Sequence, residues 1–425
     1  AVRSGATGAP LAACAVPADF PAGIEITSTG YRNWAGALRV DQVLVCRPAS
    51  PDDVVTVANW AAANGWTLRP TGYAHGWSPL TVTAGQSCPS RVLLVDLTAH
   101  LTGVGPVTAT GTGATVRVQA GAALDDLLAS IGSDGYGLTA TPAPGDLSVG
   151  GALAIDAHGT AVPAAGEVPQ PGDEYGTLSN RIVSLTAVVW DRAAGRYLTR
   201  TMDRADPDCP ALLTHLGRTL VTEVTLTVRP DQDLRCLSDV SIPAGELFAP
   251  SGERTVASFV ERAGRVEVIW FPFTDRPWLK VWSICPDRPA TARPVVTPYN
   301  YPFTDNVPRP VAELAGRLQR GQWYLAPAFG LTQYAAVAAG LTATASADLW
   351  GRSRNLLLYV RPTTLRMHAN GYAVPARRAD LQRVISTFTA FYRERLLAYA
   401  ASGRYPACPA AWRSRASVPS RGSCR

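Results

Sequence analysis

Apolar residues recur at helical spacing between Val54 and Asn64, with Val54, Val57, Trp60 and Ala61 on one face. Ser50-Pro51-Asp52-Asp53 stands just before them. A hydroxyl cap, a proline at the first position and acids in the first turn predict that a helix starts there. Leu124 to Ile131 predicts a second, shorter helix. The period drops to two between Ala114 and Ala120, where Thr115, Arg117 and Gln119 alternate with apolar neighbours, and this predicts a strand. Arg91–Asp96 also predicts a strand, and Ile182–Trp190, apolar and β-branched, predicts a buried one. Up to about Pro230 helices and strands therefore alternate.

Beyond Asp231 the texture changes. Val266–Phe271 and Trp278–Ser283 predict a pair of strands separated by Pro272–Pro277. On alternation Glu267 shares a face with Ile269 and Phe271. Prolines crowd 286–310 and predict an extended excursion or a loop over a site. The Ala-rich stretch Tyr334–Ala347 is interrupted by Gly340, Thr342, Thr344 and Ser346, so it predicts a helix lying on a core and not a membrane span. Leu356–Arg361 predicts a strand. Ala379–Ala398 predicts one long helix with Leu381, Val384, Ile385 and Phe388 on a face. The fold class is α+β, and no internal repeat appears.

Composition narrows the classes. With 425 residues, 47% hydrophobic and 17% charged, the chain has core enough for two or three domains. The formal charge is +6, but the cations are scattered and all but Lys280 are arginines, which argues against a nucleic-acid surface. Cysteines at 14, 46, 88, 209, 236, 285, 408 and 424 show no C-x-x-C pair, which speaks against a zinc site. They leave open buried thiols or one or two bridges. The start, Ala1-Val2-Arg3-Ser4, has no signal-like apolar region and fits a mature exported end or a cytosolic start.

The chemistry concentrates in two Gly-rich turns, each with a His-Gly step nearby. The first is Arg69-Pro70-Thr71-Gly72-Tyr73-Ala74-His75-Gly76-Trp77-Ser78. The second is Pro144-Gly145-Asp146-Leu147-Ser148-Val149-Gly150-Gly151, followed by Asp156-Ala157-His158-Gly159-Thr160. Glycines let a backbone approach a bulky anion, and a run of N–H groups there suits a pyrophosphate. These turns resemble the vanillyl-alcohol oxidase superfamily of flavoenzymes, and within it the covalent-flavin (class II) cholesterol oxidases. His75-Gly76-Trp77-Ser78-Pro79-Leu80-Thr81 carries most of the likeness, supported by Val266–Phe273 and Arg361–Arg366. It extends from about Asn33 to Pro406.

The resemblance implies a two-part FAD-binding domain with an inserted α+β substrate (cap) domain. The expected boundaries are 1–231 for the FAD domain, 232–365 for the cap, and 366–425 for a segment returning to the FAD domain. Gly72, Tyr73, Ala74, His75, Gly76 and their neighbours Arg69, Trp77 and Ser78 would hold the FAD. Pro144, Gly145, Asp146, Val149, Gly150, Gly151, His158 and Gly159 would line its other side. Gly176, Asn180 and Ile182, in the segment Tyr175–Ile182, would complete the site. His75 would carry a covalent bond to the flavin, with His158 as the rival attachment point. The residues alone also admit a histidine simply hydrogen-bonded in a turn.

The activity implied is oxidation of a secondary alcohol of a sterol to a ketone or enone, with oxygen reduced to hydrogen peroxide. A base must take the hydroxyl proton as hydride leaves carbon. Glu267 is the first candidate, against the alternative of a solvent-facing strand glutamate. Asp156 is the second, against a turn-holding role. The aromatic crowd around Trp270, Phe273, Trp278, Trp282, Tyr299, Tyr301 and Trp323 suits a long apolar slot. A sugar or aldonolactone oxidase is the competing enzyme, and a non-catalytic flavin- or sterol-binding relic is the competing binder. The resemblance also implies export with a leader removed, and a sterol substrate suits a transient membrane-surface contact; the residues themselves predict no metal and no membrane span. From Ala407 the chain departs from the family. The Glu-x-Arg pair expected after Pro406 is missing, and a divergent Ser-, Arg- and Pro-rich tail follows.

Overall fold

The computed structural model describes residues 13–111, 113–304, 326–357, 374 and 377–401. They divide into two units, Ala1–Gly159 with Gln170–Asp231, and Thr160–Pro169 with Gln232–Arg425.

The first unit opens with the hairpin β1 (Glu25–Arg32) and β2 (Arg39–Arg47), then α1 (Pro51–Asn64), β3 (Thr67–Thr71) and β4 (Val92–Asp96). The sheet order is β1-β2-β4-β3, with β4 parallel to both β2 and β3. Parallel pairing requires a crossover, and α1 supplies it between β2 and β3. Its start is built as a capping box. The Asp53 N–H donates to Ser50 Oγ at 3.1 Å, while Asp53 Oδ2 accepts from the Ser50 and Ala49 N–H groups. Gly65 ends it in the left-handed region. Val54, Val57, Trp60 and Ala61, the face expected from spacing, are all buried. Cys14 and Cys88 form a disulfide, and Cys46, Cys209, Cys236 and Cys285 are free thiols.

A second, antiparallel sheet follows: β5 (Thr108–Thr110), β6 (Gly113–Gln119), β7 (Tyr136–Gly137), β8 (Ile182–Asp191), β9 (Arg196–Asp203) and β10 (Leu220–Pro230). Its order is β5-β6-β10-β8-β9, with β7 paired to the far end of β10. Between these strands lie α2 (Leu124–Ser133), α3 (Val149–Ala154) and α4 (Pro210–Leu213).

The second unit is a mostly antiparallel sheet of β11 (Asp233–Asp239), β12 (Arg265–Ile269), β13 (Trp278–Ile284), β14 (Arg293–Pro294) and β15 (Asp348–Arg352), in the order β12-β13-β11-β15-β14. Its helices are α5 (Ala244–Leu247), α6 (Val256–Ala263), α7 (Ala326–Ala343), α8 (Ser353–Leu357) and α9 (Leu381–Ala401). One sheet face carries Trp278 and Trp282 into a core with Tyr301, Val337 and Leu341. The other carries Leu279, with Val266, Val268 and Val281 against it, into a core with Leu247, Phe248 and Val256. Thr160–Pro169 is stitched beside β12. Val266 N–H donates to Thr160 Oγ1, Val162 N–H donates to Gly264 O, and Arg265 pairs with Glu167 at 3.3 Å.

Several expectations change. Leu356 and Leu357 are helical in α8 and buried, where a strand was expected; packing against β11 and β15 overrides the β-like apolar run. The rest of that run, 358–361, lies outside the described residues, as do Arg361–Arg366 and the tail from 407. In α9 the buried stripe is Gln382, Thr389 and Leu396, and Phe388 is exposed and stacked on Tyr392. Gln382 can be buried because its amide is fully engaged with Ala257, Leu247 and Ala249 of the same unit. Residues 377–401, the described part of the segment expected to return to the FAD domain, group with the second unit. Among the described residues no helix is long and apolar enough to cross a membrane.

Candidate active site

Strand β3 ends at Thr71 and the chain enters the first Gly-rich turn. Arg69 is still in β3, opposite Leu94. Among the described residues, no backbone N–H from Gly72 to Ser78 donates a hydrogen bond within the chain. The turn is held by its carbonyls instead. Ala74 O accepts from Trp34 N–H at 2.7 Å, and Gly76 O accepts from the Asn33 side-chain amide at 2.8 Å. Ala74 adopts φ +58°, a left-handed conformation stabilised by that grip. Gly72 leaves no room for a side chain, because a Cβ there would stand 2.4 Å from Ser148 Oγ. The outcome is a short run of donors with no internal acceptor, the property a pyrophosphate requires. Tyr73 and Trp77 in the same turn are exposed.

His75 is held on two sides. Its ring stacks on Trp34, with centroids 5.4 Å apart and planes 20° from parallel. Its Nε2 lies 3.0 Å from Asp146 Oδ1, at ion-pair distance but off the line of a hydrogen bond. Asp146 thus ties the second Gly-rich turn to the first.

In the second turn the N–H groups of Val149, Gly150 and Gly151 are bonded within the chain. Ser148 caps α3 by accepting from Gly151 N–H at 3.2 Å. Val149 N–H donates to Ala122 O and Gly150 N–H to Ala120 O. Val149, Gly150 and Gly151, expected to line the cofactor's other side, therefore offer it no free N–H group among the described residues. What the glycines supply is close packing, since a Cβ on Gly150 would meet Ala120 at 2.9 Å. Pro144 lies in the same turn, and Gly145 O is taken by Asp125 N–H.

Asp156 sits at φ +58° with its Oδ1 buried and lacking a hydrogen-bond partner among the described residues. His158 is exposed, its Nδ1 3.2 Å from Gly159 O, and it bridges to Thr177. Gly159 is packed so tightly on Thr141 that a Cβ would fall 2.3 Å from the Thr141 carbonyl oxygen. Gly176 takes φ +90°, Asn180 donates to Tyr175 O at 2.8 Å, and Ile182 is buried at the start of β8.

Residues 215–217 had no signal in the sequence. Leu216 N–H donates to Ala154 O, at the end of α3, and a Cβ on Gly217 would lie 3.5 Å from Pro70 Cγ. This segment therefore joins both turns. His215 is only 9% exposed, neither ring nitrogen has a hydrogen-bond partner among the described residues, and burial pushes its pKa down to about 4. Together with Asp156 Oδ1 and the buried Thr141 Oγ1, it leaves a set of unpaired polar atoms around the turns. Buried polar atoms normally have partners. This set and the free N–H run fit a large, polar, anionic cofactor such as FAD.

Arg181 was also missed. It is buried and donates to the carbonyls of Gly172, Glu174 and Thr227, and burial lowers its guanidinium to about 10. Arg229 and Asp173 form a buried charge pair beside it. These groups fix the segment that leads into Gly176 and Asn180.

In the second unit Glu267 lies on β12 opposite Lys280 of β13. Lys280 Nζ is 2.5 Å from Glu267 Oε2; the lysine side chain is 1% exposed and the glutamate 33%. Glu267 is thus neither a plain solvent-facing residue nor sealed in the core. It stands on the sheet face that bears Trp278 and Trp282. A groove of about 640 Å³ in the first unit, lined by Gly103–Pro106, Arg117 and Glu223 among others, includes none of the residues expected from the sequence.

Residues 43–191 match a family of FAD-binding domains, and residues 233–412 match the substrate-binding domain of cholesterol oxidase. A solved structure of a solvent-stable cholesterol oxidase is 52% identical, with 92% of this chain and 73% of that one covered and a TM-score of 0.88. Cholesterol oxidase from Brevibacterium sterolicum is 42% identical over 92% of this chain and 73% of its own, with a TM-score of 0.88. A histidine-to-alanine variant of that enzyme is 42% identical, covering 92% and 72%, with a TM-score of 0.86. No curated protein sequence matches the chain. These matches favour neither a sugar or aldonolactone oxidase nor a non-catalytic relic. The chain, with an FAD-binding half and a substrate-binding half, belongs to the cholesterol oxidase family.

Proposed function

We propose that the protein oxidises the secondary hydroxyl of a cholesterol-like sterol to a ketone, then to the enone, and passes the electrons to oxygen to form hydrogen peroxide. FAD, when bound, supplies the hydride acceptor. The N–H groups from Gly72 to Ser78 would hold its pyrophosphate, and His75 would carry the covalent bond to it. The observation that carries the reading of the chemistry is Glu267: a half-exposed carboxylate on an aromatic-lined face of the substrate-binding half. Its carboxylate takes the hydroxyl proton as hydride leaves the carbinol carbon. As an acid–base group it also serves the shift of the ring double bond. Asp156, in the FAD-binding half, has a buried Oδ1 with no hydrogen-bond partner among the described residues and would hydrogen-bond the cofactor, which leaves the role of base to Glu267.

Export is supported by the Cys14–Cys88 disulfide, a bond that persists in oxidising compartments. A transient contact with a membrane surface would deliver the sterol.

The test is anaerobic reduction of the flavin by cholesterol, followed at its visible band. Bleaching is expected, and peroxide should form on admitting oxygen. Glu267→Gln should keep the flavin spectrum and slow the reduction roughly a hundredfold. A rate within about threefold of the unmutated protein would remove Glu267 from the role of base.

A further inference from the structure

Lys280 is the sole lysine of the 425-residue chain; every other basic side chain apart from histidine is arginine. It is also fully buried. A charged group is rarely buried unless its charge is met. Here the ammonium lies 2.5 Å from Glu267 Oε2 and 4.3 Å above the ring of Trp278, with Tyr301 at 5.5 Å and Trp282 at 5.8 Å. The strand register enforces this. Lys280 is directly opposite Glu267 on one side and Ser238 on the other, and Trp278 and Trp282 flank it on its own strand.

An arginine would serve poorly in that slot. A guanidinium spreads five donors in a plane and needs several acceptors, whereas an ammonium is compact and sits over a ring face. A chain that uses arginine nearly everywhere keeps lysine at the one place where compactness matters. Glu267 can therefore be held through Oε2 while its side chain stays partly exposed.

We propose that Lys280 is a positioning residue: by its ion pair with Oε2 it holds the partly exposed Glu267 carboxylate in one orientation towards the sterol hydroxyl. This rests on the reading of Glu267 as the base. Lys280 touches no substrate and transfers no proton in this scheme. It acts through Glu267, and that sets its signature.

The experiment measures anaerobic flavin reduction by cholesterol in the holoenzyme for Lys280→Met, Lys280→Arg, Glu267→Gln and the double variant Lys280→Met/Glu267→Gln. Flavin absorbance and circular dichroism report the fold of each. Lys280→Met should lower the limiting rate about ten- to a hundredfold, with the sterol concentration for half-maximal rate changed less than about twofold, because a misplaced group affects the chemical step more than binding. Lys280→Arg, which keeps the charge, should recover part of the loss. The double variant should be no slower than Glu267→Gln alone. Lys280→Met at a normal rate, or a double variant slower than Glu267→Gln by the full Lys280→Met factor, overturns the proposal. If Lys280→Met does not fold, Lys280→Arg and the double variant, which leaves no buried charge, decide it by the same comparisons: Lys280→Arg slower with the half-maximal concentration unchanged supports it, and Lys280→Arg at a normal rate overturns it. A normal rate in Glu267→Gln strikes at the base assignment instead, a distinct outcome.

Discussion

His75 lies flat against Trp34, its ring 5.4 Å away and tilted by only 20°, and turns Nε2 towards Asp146. The imidazole is thus clamped before any cofactor is considered, with Nδ1 as the nitrogen not facing Asp146. Clamping removes rotamer freedom that a bond-forming side chain would otherwise lose.

From this follows an expectation about the flavin link. Yellow colour should remain with the protein pellet after acid or heat denaturation. His75→Ala should release it to the supernatant while leaving a folded protein. Colour in the supernatant of the unmutated protein would refute the covalent attachment and leave FAD binding intact.

His215 sets an acid limit on stability. Burial depresses its pKa to about 4 from an ordinary 6.5. Between those values the unfolded chain binds the proton and the folded one does not, so stability is whole above about pH 6.5 and declines as pH falls towards 4. The integrated loss is about 3 kcal/mol. Urea midpoints measured from pH 7 to pH 4 should show this decline, and His215→Leu should flatten it. An unchanged slope in the variant would place the acid sensitivity elsewhere.

The Arg229–Asp173 pair is buried on both sides, and Asp173 also accepts from Thr139 Oγ1 at 3.0 Å and from Gln170 N–H at 2.7 Å. Asp173→Asn leaves an arginine buried without its countercharge, which costs about 3–5 kcal/mol. A large fall in melting temperature is expected, accompanied by weaker flavin retention, because Gly172–Asn180 loses its anchor. A melting temperature unchanged within a degree or so would mean that solvent reaches the pair.

Ser50→Ala removes one half of the capping box of α1 and should destabilise the first unit by about 1 kcal/mol. Ser50→Gly should cost only a few tenths of that unit. Equal losses in both variants would show that the hydroxyl is not the operative group.

How far the sequence could be read depended on the range of the interaction. The capping box of α1 and the face Val54, Val57, Trp60 and Ala61 are local patterns, and they were legible. So was the pairing of Val266–Phe271 with Trp278–Ser283, since a proline-bounded turn joins them, although β12 itself ends at Ile269. The Glu267–Lys280 contact was not legible, because it depends on a strand register that no local signal fixes. Nor was the role of His215–Gly217, whose partners Ala154 and Pro70 are about 60 and 147 residues away in the chain. In the second Gly-rich turn the glycines were visible, but where their N–H groups go was not. A glycine needed for packing and one needed for a ligand look the same as letters. Leu356 and Leu357 read as strand because the apolar run is short, and only packing decided for the helix.

The Cys14–Cys88 bridge closes a ring across a sequence separation of 74, and the turn from Gly72 to Ser78 lies inside that ring. The ring therefore spans the turn on both of its sides. A cut between Tyr73 and Leu80 would not release a fragment. The two sides would stay joined through sulfur, the nicked protein would run as one band on a non-reducing gel, and it would fall into two pieces only when a thiol is added. Outside a cell, where proteases are plentiful and thiols scarce, the enzyme would survive such a wound as a single molecule.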